Sequence, residues 1–483
     1  MGSRKKEPGL KIQMPDEASP IDFLKLLVTE ELIAEIVLCT NFYADCKIDA
    51  AGPLRRRSIW KSWNPVTQDE MKKFLGLVIH MGLVKMPSYK HYWKKDKLFQ
   101  NNFFPAVMSR ERFQLIMRFL HFGERPDFVG DRLSKVKSLI HHLNDTMSAI
   151  YVPDRNLSLD ESMMLFRGRL IFRQYIKNKR HKYGVKYYEL CSDDGLILKI
   201  SIQSGDSQAS NGRSIGLGKT GDVVLELMED FLSQGYHIFT DNYYNSVQLT
   251  QHLTNLGTYI TGTLRKDRVG NPEEVIKKKL GKGEFTYASL QSVVVSKWKD
   301  KRDVLTITNA HSNPCLIETQ NRNGKMKVKP NIVNDYNKHM GGVDRSDQLL
   351  SYHSALKKTV RWNKKVGIHI LEMLVHNAFL LYKKSGCFYG RSSVSEFKQE
   401  AVEWLVGEVA TPRYLKPIAN FHYLYPIPVT GKKKNPTKRC CLCSTPQKRK
   451  ETRYICLYCD DQPAMCLYPC FVQYHMQIGV AVV

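Results

Sequence analysis

The sequence predicts an α/β core interrupted by a basic β-rich segment, embedded between helical stretches and followed by a small metal-binding tail. Three observations predict it. Apolar positions recur at three- and four-residue spacing from about Pro20 to Asn156, and helix returns after Gly342. From Leu157 the texture changes to short apolar runs that end on aspartates or turn residues, such as LSLDESMMLF and YHIFTD. Seven of the twelve cysteines fall between Cys440 and Cys470.

The bulk properties narrow the chemistry. A chain of 483 residues with 42% hydrophobic content buries a sizeable core and suggests about three domains. Its 73 Lys+Arg exceed its 47 Asp+Glu, and a net charge of +26 points to a polyanionic partner, nucleic acid first. The longest apolar run, FLGLVIHMGLV, falls short of the ~20 residues that span a bilayer, so no membrane partner is expected. The N-terminus has basic residues with no apolar run behind them and is not read as a secretory signal. Cysteines paired as CxxC at one end suit a reducing compartment and a metal site better than disulfides.

Each element follows from local signals. SerPro at 19–20 and ThrGlnAspGlu at 67–70 read as helix starts ahead of IDFLKLLVTEELIAEIVLCTNFYA and TQDEMKKFLGLVIHMGLV. SRERFQLIMRFLHFG and LSKVKSLIHHLNDTMSAIY continue the helical pattern. LSLDESMMLF is a strand, and KYYELCSDDGLILKISIQSG is a hairpin turning at Ser192–Gly195. VVLELMEDFLSQG is an amphipathic helix stopped by Gly235, YHIFTD a strand, and NSVQLTQHLTNLG a helix stopped by Gly257. This order, strand, hairpin pair, helix, strand, helix, is that of a ribonuclease H-like catalytic core. Lys266 to Pro330 is basic and β-like, an insertion before the third acidic string. GIHILEMLVHNAFLLYKK and SSVSEFKQEAVEWLVGE are helices, the latter capped by Ser393 with Glu396 or by Ser395.

The acidic strings carry the chemistry. Asp160 and Asp241 each end an apolar run, and Asp344 and Asp347, three apart, share one helix face. Carboxylates converging from separate elements are what two Mg²⁺ or Mn²⁺ ions about 4 Å apart require. Asp335 ranks below these as a third carboxylate. Glu161 is expected on the opposite strand face from Asp160 and is left out. GLGKTG is read as a loop before a helix, because Arg213 occupies the first glycine position of a P-loop.

In the tail, Cys440, Cys443, Cys456, Cys459, Cys466, Cys470 and His475 have the spacing of Zn²⁺ ligands. Seven ligands exceed one tetrahedral site, so two Zn²⁺ ions are expected with an eighth ligand unplaced; Cys441, Asp460, Asp461 and His311 are poor candidates. Basic runs RRR (55–57), KNKRHK (177–182), KKTVRWNKK and KKKNPTKR suit phosphate contacts. Within KKTVRWNKK, the cations Lys357, Lys358, Arg361, Lys364 and Lys365 surround Trp362, which either stacks on an unpaired base or packs between helices. KKKNPTKR with the nearby QKRK also reads as a nuclear-import signal, giving a nuclear location.

Together LSLDESMMLFRGRL, KYGVKYYELCSDDG, GYHIFTDNYYNSVQL, GTLRKDR, VNDYNKHMGGVDRSDQLLSYH and the terminal cysteine pattern resemble the piggyBac transposases and their domesticated relatives, over about residues 20 to 477. The resemblance implies a metal-dependent DDD-type transposase with catalytic Asp160, Asp241 and Asp344, Asp347 in support, and Trp362 near the transposon end. It implies nicking, hairpin formation and insertion of double-stranded DNA at TTAA sites by a homodimer. The implied layout is a polar leader (1–19), helical dimerisation and DNA-binding segments (20–156 and 349–430), and a catalytic core (157–265 and 330–348). An insertion (266–329) and a basic linker with a zinc domain (431–483) complete it. A domesticated, non-catalytic DNA-binding protein is the alternative. Active members carry a long acidic N-terminal region, whereas about twenty residues precede the helical part here, and six residues separate Cys459 from Cys466 where relatives often have fewer.

Overall fold

The computed structural model describes residues 7–123, 131–177, 182–205, 216–320, 324, 326–387, 393–408, 422–428, 435–459 and 461–479. The start of the polar leader, most of KNKRHK, much of the linker from Pro412 with Lys432–Lys434, and Asp460 lie outside them. The chain divides into two compact units, Met1–Val409 and Ala410–Val483.

Capping residues set the helix ends of the first unit. Strand β1 (Gly9–Leu10) precedes α1 (Pro20–Leu27), where the Asp22 carboxylate accepts the Ser19 N–H at 2.9 Å. The long apolar stretch then breaks, because Thr29 Oγ1 accepts the Leu32 N–H at 3.2 Å and starts α2 (Glu30–Asp49). Thr67 caps α3 (Gln68–Leu83) in the same way. The helices α4 (Phe103–Val107), α5 (Arg110–Phe119) and α6 (Lys137–Ile150) follow.

Strands begin at β2 (Tyr151–Val152), which pairs with β1, and continue through β3 (Asn156–Leu165), β4 (Gln174–Tyr175), β5 (Tyr183–Ser192) and β6 (Ile197–Ile202). Helix α7 (Gly218–Met228) ends in a 3₁₀ turn at Phe231, earlier than the expected stop at Gly235. After it come β7 (His237–Thr240), α8 (Val247–Asn255) and β8 (Tyr259–Thr263).

A short α9 (Glu273–Lys277) leads to β9 (Phe285–Leu290), β10 (Val293–Lys299) and β11 (Asp303–Thr308). The described residues build one nine-stranded sheet in the order β4-β5-β3-β7-β8-β11-β10-β9, with β6 also paired to β5. Among the described residues, only the β3–β7 and β7–β8 pairs are parallel. The segment read as an insertion therefore adds three strands to this same sheet through the β8–β11 pairing. The strands β12 (Leu316–Gln320) and β13 (Met326–Pro330) form a separate ribbon.

Helices α10 (Asn331–His339), α11 (Gly342–Tyr352), α12 (Trp362–Lys384) and α13 (Val394–Val406) close the unit. Ser393, rather than Ser395, caps α13, with Glu396 accepting the Ser393 N–H at 2.6 Å. Nearly every residue of α12 is buried, packed on α1, α6, α11 and α13, so one hydrophobic core joins the helices to the sheet. Glycine lets α11 approach that sheet closely. A Cβ on Gly342 would stand 2.3 Å from Ser158 Oγ and 2.5 Å from the Ser192 carbonyl.

Among its described residues, the second unit has short pairings only. Strand β14 (Leu424–Pro426) pairs with β17 (Tyr454–Cys456), and β15 (Lys438–Arg439) pairs with β16 (Glu451–Thr452). Helix α14 (Cys470–Gln477) follows, and the buried centre consists largely of cysteines with Met465 and Phe471. Such a small core is consistent with a unit held by metal. Among the described residues, no helix is long and apolar enough to cross a membrane.

Candidate active site and metal centres

Strand register brings the first two aspartates together. The parallel β3–β7 pairing ends at Leu159 with Thr240, so the next residues are Asp160, within β3, and Asp241, just past the end of β7. The Asp241 Oδ1 accepts the Tyr243 N–H at 2.7 Å, which fixes the turn leaving β7. The Asn245 side chain, fully buried, donates to the carbonyls of Asp241 (2.8 Å), Thr263 (2.8 Å) and Thr240 (3.2 Å). This ties the carboxyl ends of β7 and β8 together. Gly262 makes room for the clamp, since its Cβ would lie 2.1 Å from Asn245 Nδ2.

Glu161 belongs to this group, contrary to the expectation from strand alternation. Carboxylate oxygens of Asp160, Glu161 and Asp241 lie within 4.8 Å of one another. Asp160 Oδ1 accepts the Glu161 N–H at 2.8 Å, folding the Asp160 carboxylate back along the strand toward its neighbour. Glu161 is in turn paired with Lys186 of β5 at 2.9 Å, with both side chains nearly buried.

Helix α11 supplies the other two aspartates at different depths. Asp347 accepts a hydrogen bond from Ser162 Oγ at 2.6 Å, two residues beyond Asp160 on β3. Asp344, in the first turn, is exposed and stands outside the close group of three. Burial, the largest cause, pushes the Tyr336 pKa up to about 12; its hydrogen bond with Thr263 opposes the rise, and the charges of Asp241, Asp160 and Asp344 add to it. Asp335 points elsewhere, 3.2 Å from His311.

The cations expected at DNA, though not Trp362, share one feature. Lys357, Lys358, Arg361, Lys364 and Lys365 line a cavity of ≈ 450 Å³ together with Lys90, Arg118, Phe113, Met117 and Ile368. They are not equivalent. Lys358 and Arg361 are exposed. Lys364 is buried and donates to the Met117 and Arg118 carbonyls near the end of α5, and burial drives its pKa down to about 7. Lys365 donates to the Leu165 carbonyl at 2.6 Å, and Lys357 to the Met86 carbonyl at 3.3 Å. Trp362 is half-buried and meets Phe172 edge to face at 5.1 Å.

In the second unit the cysteines sort into two ligand sets. Cys440, Cys443, Cys466 and Cys470 form one; Cys456, Cys459, His475 and His422 form the other. Tetrahedral Zn²⁺ with bonds of about 2.0–2.3 Å sets ligand atoms roughly 3.3–3.8 Å apart. Cys443 and Cys466 sulfurs are 3.6 Å apart, Cys459 Sγ is 3.4 Å from His475 Nε2, and Cys456 Sγ is 3.5 Å from His422 Nδ1. Both donor sets fit Zn²⁺. His475 Nδ1 donates to the Phe471 carbonyl at 2.8 Å, leaving Nε2 to face the metal.

The eighth donor of the two sets is His422, which no CxxC spacing signals. Register explains its place: Leu424 pairs with Cys456, so the residue two before Leu424 reaches that ligand set. The sets alternate along the chain: one joins Cys440 and Cys443 to the later Cys466 and Cys470, the other joins Cys456 and Cys459 to the later His475 and the earlier His422.

A family model described as Transposase IS4 matches residues 19–379. The chain is 28% identical over 379 residues to the human PiggyBac transposable element-derived protein 3, covering 76% of this chain and 61% of that protein. It is 25% identical over 393 residues to the human PiggyBac transposable element-derived protein 2, covering 78% and 64%. This chain therefore spans less than two thirds of the length of either relative. A cryo-EM structure of a piggyBac transposase synaptic complex with hairpin DNA is similar in fold, with a TM-score of 0.68 at 24% identity over 83% of each chain. With three quarters of its length matched by the family model and its fold shared, the chain belongs to the piggyBac-type transposase family.

Proposed function

We propose that this protein is a metal-dependent DDD-type transposase that cuts and pastes DNA. It acts at transposon ends by nicking, hairpin formation and insertion at TTAA sites, as a nuclear homodimer. The observation that carries the reading is the meeting of Asp160, midway along β3, with Asp241, just past the end of the adjacent parallel strand β7. The strand order β6-β5-β3-β7-β8, with the first three antiparallel and the last two parallel to β3, supports a ribonuclease H-like core.

Asp160 and Asp241 hold the cations, with Asp344 completing the set from α11 and Asp347 kept in place by Ser162. Mg²⁺ or Mn²⁺ bound there supplies Lewis-acid activation of the attacking oxygen and neutralises the leaving one. Exposed Lys358 and Arg361 bind phosphates, while Trp362 borders the DNA end. In the second unit, Zn²⁺ in the two ligand sets fixes a compact surface for reading sequence near the transposon ends.

The test is to incubate the protein and Mg²⁺ with genomic fragments carrying TTAA-flanked repeats, beside an Asp241→Asn variant, and to sequence every new end. Hairpinned or TTAA-joined ends made by the wild type alone are expected. Fragments bound equally by both proteins and never cut would instead mark a domesticated, non-catalytic DNA-binding protein.

A further inference from the structure

Next to the aspartate pair lies a buried group that two cation-holding aspartates do not require. Glu161 is 9% exposed and Lys186 is 6% exposed, and their charges meet at 2.9 Å. The Lys186 ammonium also sits over the rings of Tyr188, at 4.6 Å, and Tyr243, at 4.4 Å. Burying such a pair costs desolvation on both sides, so surface packing alone gives no reason for it.

Its place gives a reason. Three carboxylates with oxygens inside 4.8 Å repel one another, and Lys186 is a cation bonded to one of them. A second observation comes from Tyr244. It is 1% exposed, and its hydroxyl finds no hydrogen-bond partner among the described residues. Burial raises the pKa of its phenol most, and the charges of Glu161, Asp160 and Asp241 add to the rise. A buried hydroxyl left unpaired marks a place for water.

We propose that Glu161 is a further metal-binding carboxylate of this centre, and that Lys186 is the internal cation that neutralises it until a divalent metal arrives. The proposal rests on the reading of Asp160 and Asp241 as cation ligands. Lys186 is a positioning residue: it holds Glu161 within reach and competes with the metal for it. Its removal and the removal of Glu161 therefore act on metal affinity in opposite directions, which a purely structural ion pair would not do.

The experiment is a titration of the zinc-loaded full chain with MnCl₂, following free Mn²⁺ by electron paramagnetic resonance, with thermal melting measured before and after. Glu161→Gln is expected to weaken Mn²⁺ binding by about tenfold or more. Lys186→Met is expected to bind Mn²⁺ more tightly, with a lower melting temperature in the metal-free form that Mn²⁺ restores. The double variant E161Q/K186M leaves no unpaired buried charge, so it keeps the test readable if a single variant fails to fold. It is expected to melt near the wild type yet bind Mn²⁺ about tenfold more weakly.

Wild-type affinity in E161Q or in the double variant, beside an Asp241→Asn variant that has lost binding, overturns the role of Glu161 and leaves the aspartate centre standing. Wild-type affinity in Asp241→Asn overturns the centre itself. Lys186→Met binding no more tightly than wild type overturns the competing role of Lys186.

Discussion

The side-chain amide of Asn245 donates to the Asp241 carbonyl at 2.8 Å, and the Thr240 hydroxyl donates back to Asn245 Oδ1 at 2.7 Å. One buried side chain thus orients the end of the strand that carries the second aspartate. Its other bonds, to the Thr240 and Thr263 carbonyls, make the position of Asp241 depend on β8 as well.

Asn245→Ala leaves those buried carbonyls without donors, and it is expected to destabilise the fold by about 2–3 kcal/mol. Asn245→Asp should do no better, since a carboxylate accepts but does not donate. Gly262→Ala should reproduce the loss by pushing a methyl onto the clamp, 2.2 Å from the Thr240 carbonyl. Urea unfolding gives the stability, and DNA end cleavage measured where each variant is still folded gives the effect on the site. A variant as stable and active as wild type would show that the clamp is dispensable.

His422→Ala should lower the zinc content of the purified chain from two ions to one. His475→Ala should do the same, whereas Cys441→Ser, at an exposed cysteine outside both sets, should keep both ions. Atomic absorption on protein of known concentration counts them. Two ions retained in His422→Ala would remove His422 from the ligand set.

The basic residues around Trp362 should divide by experiment as they divide by burial. Lys358→Ala and Arg361→Ala are each expected to weaken DNA binding across all sequences. Each should also reduce the slope of affinity against salt by about one, as for a single lost phosphate contact. Lys364→Met should leave that slope unchanged and instead cost about 1–3 kcal/mol of stability, because the carbonyls of Met117 and Arg118 lose their donor. A changed salt slope in Lys364→Met would place its charge at the DNA.

Much of this fold could be read from the chain, because its signals are local. Thr67 and Ser393 cap helices where the sequence placed them, and β7 stops just before Asp241, where an apolar run meets a polar break, whereas β3 runs on past Asp160 to Leu165. What escaped depends on contacts distant in sequence. The joining of the basic β segment to the core sheet rests on the pairing of Thr306 with Thr263, which no periodicity records. His422 reaches its cysteines only through the β14–β17 register. Glu161 was set aside by strand alternation, a rule that fixes where a side chain departs from the backbone. Where its carboxylate ends depends on Lys186 and on the Asp160 side chain folding back.

Acid should unfold this protein partly through α12. His369 and His376 are buried along that helix, and burial, the largest cause for each, lowers both pKa values to about 4. His376 Nε2 donates to the Gly195 carbonyl at 2.9 Å, with Lys398 and Asp194 the charges acting on it. Because the folded values lie below the ordinary 6.5, the unfolded chain takes up protons first as pH falls. Stability is therefore complete above about pH 6.5 and is lost between there and about pH 4, by about 1.4 kcal/mol per pH unit for each histidine. His376→Gln keeps a donor for the Gly195 carbonyl and cannot be protonated. Its urea midpoint should therefore fall less steeply between pH 6.5 and pH 4.5 than that of the wild type. Equal slopes for the two proteins would mean that His376 is protonated in the folded state and has no part in acid unfolding.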